Sequence, residues 1–475
     1  MDDATPARAT QLSISRILPF SLPSLPLSAL GVAVFVYLPP YFAGHLGVSM
    51  TLVGAVWMLV RLVDIPVDVG LAVVMDRTRT RIGRYRPWLI AGAPVLMLAL
   101  YKLFAAPVGF SGGYLLGWLL VMYLGTSIMG LAHSAWAANL APHYNERSRL
   151  FGVLTAVGVA GTIAVLAIVV AGKSLGQSDA QGVRSMGWFI VAMIPLCVAV
   201  AAIFTPEKIA AETHTRRFMF RDYWSVLSSP ETVRLFLAQM ALTLGPGWMS
   251  AIYLFFFKAA RGFTTQQATI LLAIYILAQI PGSFLAAALA RRIGKHRALM
   301  ATTTAFSLGL LAIFITPRGD LLATVPSMIW AGVMAAGFDL MIRAMLADVG
   351  DEVRLVQGKE RISLLYAVNG LAGKIAAAFS IGLTFPLLAR LGFNPAEGAI
   401  NAPAAIAHLE MAFLIGPIVF VMLGGACVIG WRLDARRHGE IRQRLDERDA
   451  QLAETPAGPA WTGLAVPPLD PEISG

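Results

Sequence analysis

Cysteine is nearly absent: the 475-residue chain holds only Cys197 and Cys427. Both sit in apolar runs, which excludes a disulfide scaffold or a cysteine-built metal centre as the organising feature. They read as small packing residues. Charge is scarce as well. Only 13% of residues are Asp, Glu, Lys or Arg while 57% are hydrophobic, and a soluble globular domain carries about 25% charged residues. With a mean hydropathy of +0.69 the chain is a polytopic membrane protein. No G-x-x-x-x-G-K-[ST] loop is present, which excludes an ATP-driven pump of that type. No loop holds a nucleophile–base pair or a metal-ligand cluster, so no enzymatic activity is expected. The net charge of +10 comes from arginines gathered in particular loops. That pattern reports topology and anionic lipid, and no nucleic-acid partner is expected. Met1 to Ser15 leads into an apolar run without a small-residue cleavage site, so no removable signal peptide is expected.

What the chain has in abundance is long apolar runs. A membrane helix needs about 20 residues at 1.5 Å each. The runs predict twelve helices, at 17–44, 51–75, 87–107, 112–141, 149–172, 184–205, 232–257, 266–290, 297–316, 322–347, 362–389 and 407–431. The expected fold is all-α, with twelve transmembrane helices in two six-helix bundles. Residues 1–205 form the first bundle and 232–431 the second. Between them lies a polar loop, 206–231, in which Arg221 to Leu227 suits an interfacial helix. A charged tail, 432–475, follows. The arginine-rich loops alternate with poor ones. The positive-inside rule then puts both termini in the cytoplasm. Gly282 to Arg297 weakly echoes Gly70 to Arg86, each between the second and third helix of its half.

The most informative stretch is residues 61 to 88. Arg61, Asp64 and Asp68 interrupt the second apolar run on one helical stripe, near the bilayer middle. A charge at that depth costs a few kcal/mol, so such residues face a bundle interior and mark an ion or solute path. Two carboxylates one turn apart can hold a cation. Pro66 lies between them and removes a backbone donor. The alternative is a structural network in which Arg61 neutralises both acids. The loop that follows, Asp76-Arg-Thr-Arg-Thr-Arg-Ile-Gly-Arg-Tyr-Arg86, includes Arg77 and Arg84 and ends in Pro87-Trp88. This stretch resembles the pattern R-x-x-D-x-x-x-D-P-x-x-G, then D-x-[ST]-R-[ST]-R-x-G-[RK]-x-[RK]-P-W, of the glycoside-pentoside-hexuronide:cation symporters. Those are the melibiose permease-like members of the major facilitator superfamily. Val69 replaces the proline of the pattern.

The resemblance implies a major facilitator fold and cation-coupled symport of a small organic solute, by default a sugar or glycoside. It places the cation carboxylates at Asp64 and Asp68 and a helix 4 hydroxyl at Ser127, with Thr126 beside it. Val67 stands where a polar ligand commonly precedes the second acid, which favours a proton over sodium as coupling ion; no other cofactor is implied. Tyr144-Asn-Glu-Arg-Ser-Arg149 resembles the signature between helices 4 and 5, with Glu146 and Arg147 as gate charges, although Asn139 replaces a frequent glutamate. Met345-Leu-Ala-Asp-Val-Gly-Asp351 and Gly358-Lys-Glu-Arg361 resemble the second signature, placing Asp348 and Arg361 there. Lys374 falls where the family carries a lysine near both sites. By its own position it lies about 18 Å into helix 11, where a lone lysine needs a carboxylate or a ligand. Trp248, in Gly245-Pro-Gly-Trp248, can stack on a sugar or serve helix packing. Asp339 and Arg343 read as a structural i,i+4 pair, and His133 as hydrogen-bonded packing. Ser28, Gly130 and Thr155 replace charged residues of the sugar-binding members, so the cavity is expected to be less polar than a galactoside site. A carrier of lysolipids or other amphiphiles is the alternative, and a non-transporting receptor or scaffold is a third. The expected partners are the solute and the bilayer, with the monomer as working unit.

Overall fold

The computed structural model describes residues 14–141, 144–207, 229–357 and 362–454. The side chain of Arg147, residue Arg361 and the expected helix at 221–227 lie outside the described residues. Twelve long helices follow in order: α1 (Ile14–His45), α2 (Met50–Arg77), α3 (Arg86–Phe104), α4 (Gly112–Leu140), α5 (Tyr144–Ser174), α6 (Asp179–Phe204), α7 (Pro230–Ala260), α8 (Thr265–Ile293), α9 (Lys295–Ile315), α10 (Leu321–Gln357), α11 (Ile362–Arg390) and α12 (Pro403–Ala426). A polar helix, α13 (Ala435–Glu454), ends the described chain. Eleven of the twelve are long and apolar enough to cross a membrane. The other is α2, whose 28 residues span about 42 Å at 1.5 Å each.

Several ends depart from those of the apolar runs, each for a local reason. α6 starts five residues earlier than the run, because Ser178 and Gln181 form a reciprocal cap that recruits polar Asp179 into the first turn. α10 runs ten residues beyond its apolar run, because its charged end is held by α13. α12 stops at Ala426, and the chain turns through Gly430 at φ 67°.

Helix pairing repeats between the halves. In the first, α1 packs on α5, α2 and α3 on α4, and α3 on α6. In the second, α7 packs on α11, α8 and α9 on α10, and α9 on α12. The halves meet through α2 on α11 and α5 on α8, two contacts exchanged by the same repeat. Close approach at the first needs glycine. A Cβ on Gly54 would lie 2.7 Å from the Pro386 ring, and one on Gly382 would lie 2.7 Å from the Met58 Cβ.

A second repeat closes the first helix of each half. α1 and α7 both finish in a wide turn, with Leu46 N–H on the Tyr41 carbonyl and Arg261 N–H on the Phe256 carbonyl, each five residues back. Gly47 and Gly262 then take φ of 71° and 74°, and Ser49 and Thr264 cap the next helix. This repeat is more exact than the arginine-loop echo.

Twelve antiparallel crossings put the arginine loop of residues 77–86 and α13 on one face. The α1–α2 and α7–α8 turns lie on the opposite face. Several polar bonds join the halves at that opposite face. Tyr37 Oη meets Thr269 Oγ1 at 2.9 Å, and His45 Nδ1 meets Glu397 Oε2 at 3.2 Å. Asp179 accepts from Lys258 of the second half at 2.5 Å, from Thr265 at 2.7 Å and also from Lys173.

Candidate functional site: a charge cluster bridging the halves

α2 passes unbroken through Pro66 and carries Asp64 into a buried position, 5% exposed. Proline's missing N–H leaves the Leu62 carbonyl without its usual i+4 donor. Asp64 is surrounded by donors. Ser127 Oγ on α4 donates to Oδ1 at 2.7 Å, and Lys374 Nζ on α11 donates to Oδ2 at 2.9 Å. Arg61 lies 3.8 Å from the same oxygen. Lys374 also donates to Asp68 Oδ2. One ammonium from the second half therefore joins both carboxylates of the first. Two acids and two bases balance in charge, which makes the burial tolerable.

The cluster is not fully satisfied. Asp68 Oδ1, Arg61 Nε and Tyr123 Oη are buried without a hydrogen-bond partner among the described residues. Arg61 instead lies against two rings, 4.7 Å from the Tyr123 centroid and 5.3 Å from that of Phe35. Beside Asp64 a crevice of about 190 Å³ is lined by Val60, Val63, Val67, Leu120, Val121 and Leu124. Besides the two acids, oxygen ligands here are few. Thr126, expected in the cavity, donates to its own helix at the Met122 carbonyl, 2.8 Å away.

Trp248 sits elsewhere. Its indole N–H donates to the Ala412 carbonyl of α12 at 2.9 Å, and the ring lies 5.8 Å from Phe420, with 8% of the residue exposed. The structure places it in the α7–α12 seam and not on a cleft wall. His133 is packing as read, with its ring 2.8 Å from the Phe20 carbonyl. Asn369 on α11 was missed by sequence reasoning. It donates to Gln239 on α7 at 3.2 Å, and its own carbonyl oxygen is buried without a partner among the described residues. An Asn five residues before Lys374 in an apolar run was the available signal.

The loop charges form separate clusters. Arg84 reaches Asp76, and the Tyr85 hydroxyl donates to Asp76 at 3.3 Å. Burial chiefly pushes the Tyr85 hydroxyl above its ordinary pKa, which keeps it a donor. Arg77 is exposed and Glu146 half-buried in the first turn of α5. The unexpected member is Glu207, just past α6. It accepts the backbone N–H groups of Arg84, Tyr85 and Arg86 at 2.8, 2.8 and 3.0 Å, capping α3 from 121 to 123 residues away. Asp348 accepts Lys295 at 2.7 Å on both oxygens and lies 3.4 Å from His438 of α13. His438 and Arg442 also meet Asp351, at 3.0 and 3.3 Å. The second-signature acids thus hold the tail helix in this structure.

Comparison with known proteins agrees with this architecture. A family model described as MFS/sugar transport protein matches residues 19–435. The chain is similar to an uncharacterized symporter, YnaJ, of Bacillus subtilis, at 24% identity over 88% of this chain and 91% of that one. It is similar to an isoprimeverose transporter of Lactiplantibacillus pentosus, at 24% identity over 88% of each chain. It is similar to a lactose permease of Leuconostoc lactis, at 22% identity over 94% of this chain and 74% of that one. Among solved structures, a D323A mutant of the nucleoside transporter NupG superposes with a TM-score of 0.67 at 14% identity, over 88% of this chain and all of that one. A D-xylose–proton symporter gives a TM-score of 0.62 at 13% identity, over 88% of this chain and 97% of that one. With the family model covering most of the chain, it belongs to the MFS/sugar transport proteins, the glycoside-pentoside-hexuronide:cation symporters, and is a membrane transporter, not an enzyme.

Proposed function

We propose that this carrier moves a sugar or glycoside across the inner membrane together with a cation bound at Asp64 and Asp68. The observation that carries the reading is Lys374, an ammonium from one half bonded to both carboxylates of the other. In the unloaded carrier it stands in for the coupling ion and keeps the cluster neutral. A cation entering between Asp64 and Asp68 displaces it. The released lysine then becomes a donor for a solute hydroxyl, so solute and cation load together.

The face opposite the arginine loops is taken as the outer one, following the positive-inside rule. The bonds centred on Asp179 then close the outer side. The site is presented to the cytoplasm, as a carrier requires just after uptake.

A proton is the proposed coupling ion. Sodium favours several oxygen ligands, while Val60, Val63 and Val67 line one side of Asp64 and Thr126 is committed to its own helix. The apolar crevice favours a second reading, an amphiphile with its chain between α2 and α4. Purified carrier in vesicles, offered isoprimeverose, lactose, a glucuronide and a lysophospholipid under an imposed gradient, tests both. Accumulation of a sugar supports the proposal, whereas uptake of the lysolipid alone replaces it.

A further inference from the structure

The Asp339–Arg343 pair fits a structural role poorly once its surroundings are seen. Arg343 Nε donates to Asp339 at 2.6 Å, yet the side chains are 66% and 58% exposed. An exposed i,i+4 pair contributes only about 0.3–0.5 kcal/mol. Two charges facing hydrocarbon would cost several times that. The pair therefore meets water and not hydrocarbon.

α11 shows where that water lies. Tyr366, Gly370 and Lys374 stand four residues apart on one stripe. At Lys374 the stripe reaches the opposing half. At Tyr366 it reaches α10, where the phenol donates to the Arg343 carbonyl at 3.2 Å. Between them Gly370 opens space, since a Cβ there would meet nothing within 4 Å. The charged pair thus borders the cleft between the halves, about 12 Å along α11 from Lys374 toward the arginine-loop face.

We infer that Asp339, Arg343 and Tyr366 form a second sugar position in the cleft, between the Lys374 site and the arginine-loop face. The inference rests on the sugar-carrier reading above. The chemistry suits a polyol ring. The carboxylate accepts from neighbouring hydroxyls, and the two terminal nitrogens of Arg343, not engaged by Asp339, donate to them. The half-exposed Tyr366 ring offers a face for the apolar side of the sugar. A solute leaving Lys374 meets this position before release, so it sets affinity on that side of the membrane.

The test uses the full-length carrier in vesicles, with isoprimeverose, lactose and a glucuronide as probes. Half-saturation is measured separately for entry from each face. D339N and R343Q should raise it about ten-fold from the arginine-loop face, equivalent to about 1.4 kcal/mol, and change it less than about two-fold from the other. The exchange Asp339→Arg with Arg343→Asp keeps the helical ion pair and separates site from structure. It should remain defective if the pair holds sugar, and restoration of wild-type affinity by the exchange would overturn the inference. Normal affinity in both single variants would overturn it as well, while leaving the carrier reading intact. A wild-type carrier that moves none of the three sugars would remove both.

Discussion

Replacing Lys374 with alanine tests the competition between lysine and coupling ion. The substitution removes an ammonium 2.9 Å from Asp64 Oδ2 and bonded to Asp68. Two acids are then left with Arg61, whose nearer contact to Asp64 is 3.8 Å. At 2.9 Å a unit-charge pair is worth about 1.4 kcal/mol in water and about 6 at an effective dielectric of 20. The lysine side chain is 31% exposed, so the lower part of that range applies, roughly 2 kcal/mol. Two consequences follow with opposite signs. Without its cation the variant should be less stable than the wild type by roughly that amount. With the lysine gone the cation no longer has a competitor, so its affinity should rise by about 30-fold, the same energy expressed as a ratio. Thermal unfolding of purified protein, followed while sodium is varied at fixed pH and then pH at fixed sodium, reads both. A K374A protein no more sensitive to either ion than the wild type would refute the competition.

Two further substitutions probe the proposed outer closure and the arginine loop. Asp179→Asn removes the negative charge and one of the two acceptor oxygens shared by Lys258, Lys173 and Thr265. A thiol placed at the fully buried Thr269, in a background with Cys197 and Cys427 replaced, should then label about five-fold faster from the proposed outer side, the effect of about 1 kcal/mol on the opening equilibrium; an unchanged rate would remove Asp179 from the closure. Glu207→Ala should cost about 1–2 kcal/mol by exposing three N–H groups at the start of α3, lowering the melting temperature by a few degrees, while Glu207→Gln, still an acceptor, should cost less. Equal melting temperatures for both variants and the wild type would mean that the cap contributes nothing.

The legible and illegible parts of this molecule divide on physical grounds. Arg61, Asp64 and Asp68 were readable because charge within an apolar run is costly and demands a reason. Lys374 was readable for the same cause, and its depth on α11 was countable. That it meets those acids from across the cleft followed only from the resemblance, as did Ser127. Trp248 could not be placed, because a tryptophan beside two glycines suits a sugar and a tight helix seam equally. Asp339 and Arg343 showed their spacing but not their exposure, and exposure is what separates a helical pair from a cleft wall. Glu207 was hidden because its partners lie 121 to 123 residues earlier and it stands in a loop of ordinary polar composition. The end of α10 was missed because an apolar run measures membrane and not helix, and the charges beyond it are held by α13. The wide turns at Tyr41 and Phe256 were in principle visible, through Gly47 and Gly262 each followed two residues later by a capping Ser or Thr.

The central claim is that Asp64 and Asp68 carry the coupling ion of a sugar symporter. The most direct measurement is sugar accumulation in vesicles of wild type, D64N and D68N under an imposed pH gradient or an imposed sodium gradient. The account predicts that the wild type accumulates sugar with the pH gradient, that sodium at constant pH does not replace it, and that both variants equilibrate at most, while remaining folded in the membrane. Accumulation driven by sodium and indifferent to the pH gradient would reassign the ion. Normal accumulation by both variants would contradict the claim itself.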